Sequence, residues 1–283
     1  MRTTRRHRIA LLATSVLALG LTACAQSGSA DSTASATATS SEATETESAA
    51  ADAEPLIIGT SGTYNPITFS DGGTLTGYDI EWGEAIGEEL GRPVEFVEGQ
   101  LAGLLTGLQS GQYDLVMSAL TITPERQEAI DFSDPYLADG VVAVVVEGSD
   151  VVPDISDLTG VKVGVIGGSG YHKAVEAIGG YTELVEYPDA PSGFADLKNG
   201  RIDVFAAGKI PATTFVTNDS TGGSALEIAG EPLELLPAAV GVAKGNEELQ
   251  TQVSEAIAAI RADGRGDALA TSWFGFTIPG FTD

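Results

Sequence analysis

From Leu56 onward, short apolar runs alternate with stretches whose apolar residues recur at helical spacing, and few folds accept that alternation. Leu56-Ile57-Ile58-Gly59-Thr60 reads as a buried strand. Ile80, Trp82, Ile86 and Leu90 predict a helix over 79–90, with Asp79 placed to cap its start and Gly91 to stop it. A strand at 94–97, a helix at 101–109 closed by Ser110-Gly111, and a strand at 113–118 complete a first series. Strand–helix–strand–helix–strand order predicts an α/β fold built on a mainly parallel sheet.

The apolar run Val141–Val146 suits a long strand crossing between two lobes, and a second series follows it. Strands are expected at 161–166, 182–187 and 202–207, with helices at 171–178 and around 193–198. Residues 234–243 read as a return strand, 247–263 as a strongly amphipathic helix, and 267–273 as a shorter one. One lobe is expected from 55–139 plus 238–283, the other from 140–237. Ligands of open α/β sheets bind beyond the carboxyl ends of the strands, so the cleft between the lobes is the expected site.

Ahead of Leu56 the chain has little to pack. Arg2, Arg5, Arg6 and Arg8 precede an apolar run from Ile9 to Leu21, a signal-peptide pattern too short to span a membrane comfortably. Leu21-Thr22-Ala23-Cys24 resembles the lipobox of bacterial lipoproteins, in which the chain is cut before the cysteine and a lipid is added to its thiol. That resemblance implies a signal peptide at 1–23 and lipidation at Cys24; an ordinary signal peptide with an incidental cysteine is the alternative. Arg5-Arg6 leaves the export route open between the general and twin-arginine pathways. Residues 24–54 are rich in Ser, Thr, Ala and acids, and are expected to form a disordered tether.

Charge narrows the partners. The chain holds 14 Lys+Arg against 40 Asp+Glu, a net −26, and residues 55–283 keep −24 of it, so nucleic-acid phosphate would be repelled. A single cysteine rules out a disulfide framework and a Cys-based zinc cluster. Two histidines, one of them His7 in the leader, make a His-ligated metal or a His-based triad hard to assemble. No metal, cofactor or catalytic residue is expected.

Between Pro55 and Val161 only Arg92 and Arg126 are cationic. Arg126 stands near a predicted helix start at Thr123-Pro124-Glu125, and its planar fork matches a carboxylate in a way Lys cannot. The competing reading is a surface Arg paired with Glu125 or Glu128. Gly167-Gly168-Ser169-Gly170 follows one strand and opens a helix, where main-chain amides attract anions; a plain tight turn is the alternative. The glycine spacing is not that of a dinucleotide fingerprint.

The order of motifs is specific. Gly77-Tyr78-Asp79-Ile80, Leu105–Asp114, Thr121-Ile122-Thr123-Pro124-Glu125-Arg126 and Ile130–Tyr136 run through the first half, with Leu158–Val165, Leu197–Asp203 and Ala262-Asp263-Gly264 in the second. Together they resemble the polar-amino-acid family of extracellular solute-binding proteins that serve ATP-binding-cassette importers. The resemblance implies a two-lobe, type II periplasmic-binding-protein-like fold. It implies that Arg126 grips a ligand carboxylate, with Thr121 and Ser118 beside it, and that Ser169 and Gly170 meet the same group from the other lobe. Tyr64 and Leu101 match positions that cover the ligand, or else belong to the core.

Departures from the family pattern bear on the ligand. The family usually places an ammonium-binding Asp where Gly208 stands, and basic-ligand members place an acid at Ser61. Ile67 replaces a frequent Phe, and Lys209 beside Gly208 could favour an acidic or zwitterionic ligand. Either another acid supplies the missing charge, or the ligand is not an ordinary α-amino acid. The reading is a monomeric, lipid-anchored binder that delivers an amino acid or related zwitterion to a membrane-embedded permease. The alternatives are a dehydratase- or lyase-like enzyme on the same scaffold, or a binder of an ectoine- or betaine-type solute.

Overall fold

The computed structural model describes residues 53–152, 154–218, 222–233 and 235–278, so the expectations for the leader, Cys24 and most of the tether lie outside the described residues. Strand β1 (Leu56–Thr60) forms as expected, followed by a small antiparallel sheet of β2 (Thr63–Tyr64), β3 (Thr68–Asp71) and β4 (Thr74–Thr76) that the sequence pattern did not announce. Helix α1 (Tyr78–Leu90), β5 (Val94–Glu98), helix α2 (Leu101–Gln109) and β6 (Leu115–Val116) complete the first series. Both β5 and β6 lie parallel to β1, flanking it.

Helix α3 (Pro124–Ala129) leads into β7 (Ile130–Val146), a strand of 17 residues. The second series comprises β8 (Lys162–Ile166), α4 (Gly170–Ile178), β9 (Glu183–Tyr187), α5 (Ala190–Lys198) and β10 (Val204–Gly208). Helix α6 (Lys209–Asn218), β11 (Leu226–Ala229), β12 (Leu235–Ala243), α7 (Glu247–Ala262) and α8 (Arg265–Phe274) follow.

The sheet order is β5-β1-β6-β12-β7-β10-β8-β9, with β11 also on β7. Strand β7 therefore links both parallel sets. Residues 130–140 pair with β12, 141–144 with β10 and 143–146 with β11. The sequence pattern caught only 141–146 of it, because Asp131, Ser133, Asp134 and Pro135 interrupt the apolar run. Pro135 has no N–H to give a ladder, and it faces Ala239 at an irregularity in β12 where register shifts absorb the defect. Val141, Val142, Ala143, Val144 and Val145 are at most 1% exposed, so this joint is buried on both faces.

Two further expectations change. Asp79 does not cap α1; Gly77 stands at the cap position, and the Asp79 side chain turns into the core. Helix α6 was not anticipated because Pro211 reads as a breaker, yet a proline in the first turn forfeits no helical hydrogen bond. The two-lobe α/β architecture itself is as expected.

Candidate ligand-binding cleft

A cavity of about 300 Å³ opens where several strands end. Ser61 follows β1, Ser118 to Thr121 follow β6, Ile166 ends β8, and Pro188 and Asp189 follow β9. That is the position expected for a ligand in an open α/β sheet. The cavity brings together Arg126, Thr121, Ser118, Ser169, Gly170, Tyr64 and Leu101. Gly208 is not in the lining; it lies behind Tyr64 and Tyr171 at the end of β10. Ile67 belongs to the core at 1% exposure, and the Lys209 ammonium faces Glu231, so neither shapes the cavity wall.

Thr123 caps α3 by accepting the Arg126 main-chain N–H on its hydroxyl at 3.2 Å, which fixes where the arginine side chain departs. Arg126 is 7% exposed. It donates from Nη1 to the Thr121 carbonyl and from Nη2 to the Gly168 carbonyl, each at 2.7 Å, and among the described residues it forms no ion pair. The surface pairing with Glu125 or Glu128 is therefore not what the structure contains; Glu125 meets Lys173 instead. Burial pushes the Arg126 pKa down to about 10, opposed by the charge of Glu125. At neutral pH the group stays a cation, held by two carbonyls and without an ion-pair partner among the described residues.

On the opposite wall the glycine loop is both a turn and an opening for an anion. Gly168 adopts φ +68°, and Ser169 caps α4 by accepting the His172 main-chain N–H at 3.1 Å. The first amides of α4 thus reach the cavity edge without helical partners. His172 takes the Gly168 N–H on Nδ1 at 3.2 Å and supports the loop. The walls touch closely: a Cβ on Gly170 would lie 2.6 Å from the Thr121 side chain. Ser61 contributes a hydroxyl that is shut from solvent and has no hydrogen-bond partner among the described residues.

Tyr171, Glu98 and Asp189 also line the cavity, and Asp139 lies just behind it beside Gly208; none of the four is marked as a site residue by the sequence motifs. Tyr171 adjoins the glycine loop and could have been added from position alone. No spacing in the sequence links Asp139 to Gly208; only the β7–β10 register brings them near.

Residues 56–276 match the family model described as bacterial extracellular solute-binding proteins, family 3. The L-cystine-binding protein TcyJ of Escherichia coli K12 is 34% identical over 227 residues, covering 79% of this chain and 84% of its own. The histidine-binding periplasmic protein of Salmonella typhimurium LT2 is 31% identical over 244 residues, covering 82% and 92% respectively. A solved ancestral arginine-binding protein bound to glutamine superposes with a TM-score of 0.74 at 35% identity, covering 78% of this chain and 98% of its own.

Proposed function

The chain belongs to the bacterial extracellular solute-binding proteins of family 3, and from that premise we propose that its cleft captures an amino acid or a closely related small zwitterion for an ATP-binding-cassette importer. The observation that carries this reading is Arg126: a buried guanidinium facing the cavity, without an acidic partner among the described residues. A buried cation left uncompensated is costly, and a ligand carboxylate removes that cost while accepting its remaining donors. Serine and threonine hydroxyls and the α4 amides would complete the carboxylate shell. Relatives named for cystine, histidine and arginine supply the ligand class.

Lobe one is taken to comprise 55–139 with 238–283, and lobe two 140–237, hinged where β7 and β12 cross. The protein works as a monomer, exported by the leader and held at the membrane by a lipid on Cys24, with residues 24–54 as the tether that holds the folded body off the membrane. A binder is preferred over an enzyme because His172, the one histidine in the folded part, is engaged in supporting the glycine loop. The test is mass spectrometry of small molecules released when the purified protein is denatured, followed by titration of the apoprotein. One amino acid recovered near stoichiometry supports the proposal. Tight binding of solutes that have no carboxylate, and none of amino acids, overturns it.

A further inference from the structure

A second polar cluster borders the same cavity, and it carries the opposite charge. Tyr64 and Tyr171 line the cavity wall, each 7% exposed. Their hydroxyls meet around Gly208: the Gly208 N–H donates to Tyr64 Oη at 3.4 Å, and a Cβ on Gly208 would lie 2.4 Å from Tyr171 Oη. The same Cβ would lie 2.3 Å from Asp139 Oδ2, so the absence of a side chain at 208 is what admits this carboxylate. Asp139 is 6% exposed and accepts the Gly140 N–H at 2.9 Å and the Ile210 N–H at 3.2 Å. Tyr171 donates to its Oδ2 at 3.5 Å, a long bond with room to tighten. Among the described residues Asp139 has no cationic partner; Lys209, next to Gly208 in sequence, pairs with Glu231.

The cleft thus presents a buried guanidinium without a carboxylate and a buried carboxylate without a cation. We propose that the hydroxyl oxygens of Tyr64 and Tyr171, with Asp139 behind them, receive the ligand's ammonium group, so that the cleft selects a zwitterion with a free amine. This rests on the amino-acid reading of the cleft and names its second pole. Tyr171 gives its hydroxyl proton to Asp139 and turns oxygen lone pairs toward the cavity, where an ammonium N–H finds an acceptor. Asp139 acts through the tyrosines and is a positioning residue that supplies the negative charge. Burial pushes its pKa up to about 7, which marks a carboxylate that gains from a cation brought beside it. A quaternary amine has no N–H to offer the hydroxyls and binds poorly.

The experiment is calorimetric titration of the parent, Asp139→Asn, and a double variant combining Asp139→Ser with Gly208→Asp. Each is titrated with L-cystine, L-arginine, L-histidine and L-glutamine, and with the tightest of these lacking its α-amino group. The parent is expected to prefer the amine form by at least about thirtyfold, and Asp139→Asn to lose about thirtyfold for the amine form while the desamino form changes less than about threefold. The double variant moves the acid to the adjacent strand and is expected to restore the preference for the amine. Asp139→Asn binding the amine form within about threefold of the parent, or losing both forms equally, overturns the assignment. If Asp139→Asn does not fold, the double variant decides, and failure to prefer the amine overturns it. A parent that binds none of the four amino acids refutes the amino-acid reading itself, an outcome distinct from a parent that binds them without needing Asp139.

Discussion

Asp79 Oδ2 accepts the main-chain N–H of Ala119 at 2.7 Å, and Ala119 is the sole non-glycine residue with positive φ, +45°, among the described residues. Ala119 lies in the cavity wall between Ser118 and Leu120. The other oxygen of Asp79 accepts the Tyr136 hydroxyl at 2.7 Å. One carboxylate therefore ties α1 and β7 to a strained bend in the cleft.

Burial raises the Asp79 pKa to about 7, against an ordinary 3.8, with its two hydrogen bonds opposing the shift. The folded state thus takes up a proton near pH 7 that the unfolded chain takes up only near 4. Stability from this group is present at low pH and lost as pH rises through 7. Asp79→Asn should flatten the pH dependence of unfolding between pH 5 and 7 by up to about 1.4 kcal/mol per pH unit. Urea denaturation across that range checks it, and an unchanged slope would contradict the buried, raised carboxyl. Asp139 titrates in the same sense and remains as an internal reference.

Replacing Arg126 separates charge from geometry. Arg126→Lys keeps a cation but loses the planar fork, and Arg126→Ala loses both. Affinity for the released ligand should fall by about thirtyfold to several thousandfold for Ala, with Lys between Ala and the parent. Ala should also cost roughly 1–3 kcal/mol of stability, since the Thr121 and Gly168 carbonyls lose a charged donor. Calorimetry of the three proteins is the measurement; affinities within about threefold of one another would remove Arg126 from the site.

Gly170 lies where the two cleft walls approach each other closely. Gly170→Ala sets a methyl 2.6 Å from Thr121, so the walls must separate. Affinity should drop by about tenfold or more, because only the closed form touches ligand from both sides. Small-angle scattering with saturating ligand should show a larger radius for the variant than for the parent. Equal radii and equal affinity would mean the walls yield without opening.

Cys24→Ala should move the protein from the membrane fraction to the soluble extracytoplasmic fraction, because one residue is proposed to carry the whole anchor. Fractionation with immunodetection reads this directly. Retention at the membrane in cells that export normally would require a second attachment.

Much of the fold was legible because its signals are local. The apolar run of β1 and the helical spacing of α2 each match their observed spans, and Thr123-Pro124-Glu125 marked the start of α3 correctly. Most of β7 was not legible: its polar residues within 131–134 are tolerated because β12 pairs with that segment from a position more than a hundred residues later. The same division runs through the site. Arg126, Thr121 and the Gly167–Gly170 loop stand in compact motifs, whereas Asp139 has no signature of its own.

By itself the sequence determined the order of strands and helices, the acidity of the body, and the single buried-type arginine in a recognisable run, since periodicity, charge and short motifs are properties of neighbouring residues. The tertiary structure alone decided that Arg126 reaches Gly168 on the opposite wall, and that Asp139 comes to rest beside Gly208. Those meetings depend on antiparallel pairing of β7 with β10 and on how closely two cleft walls approach. Register and closure are set by packing across the whole molecule, and a one-residue slip would turn Asp139 to the other face of its sheet.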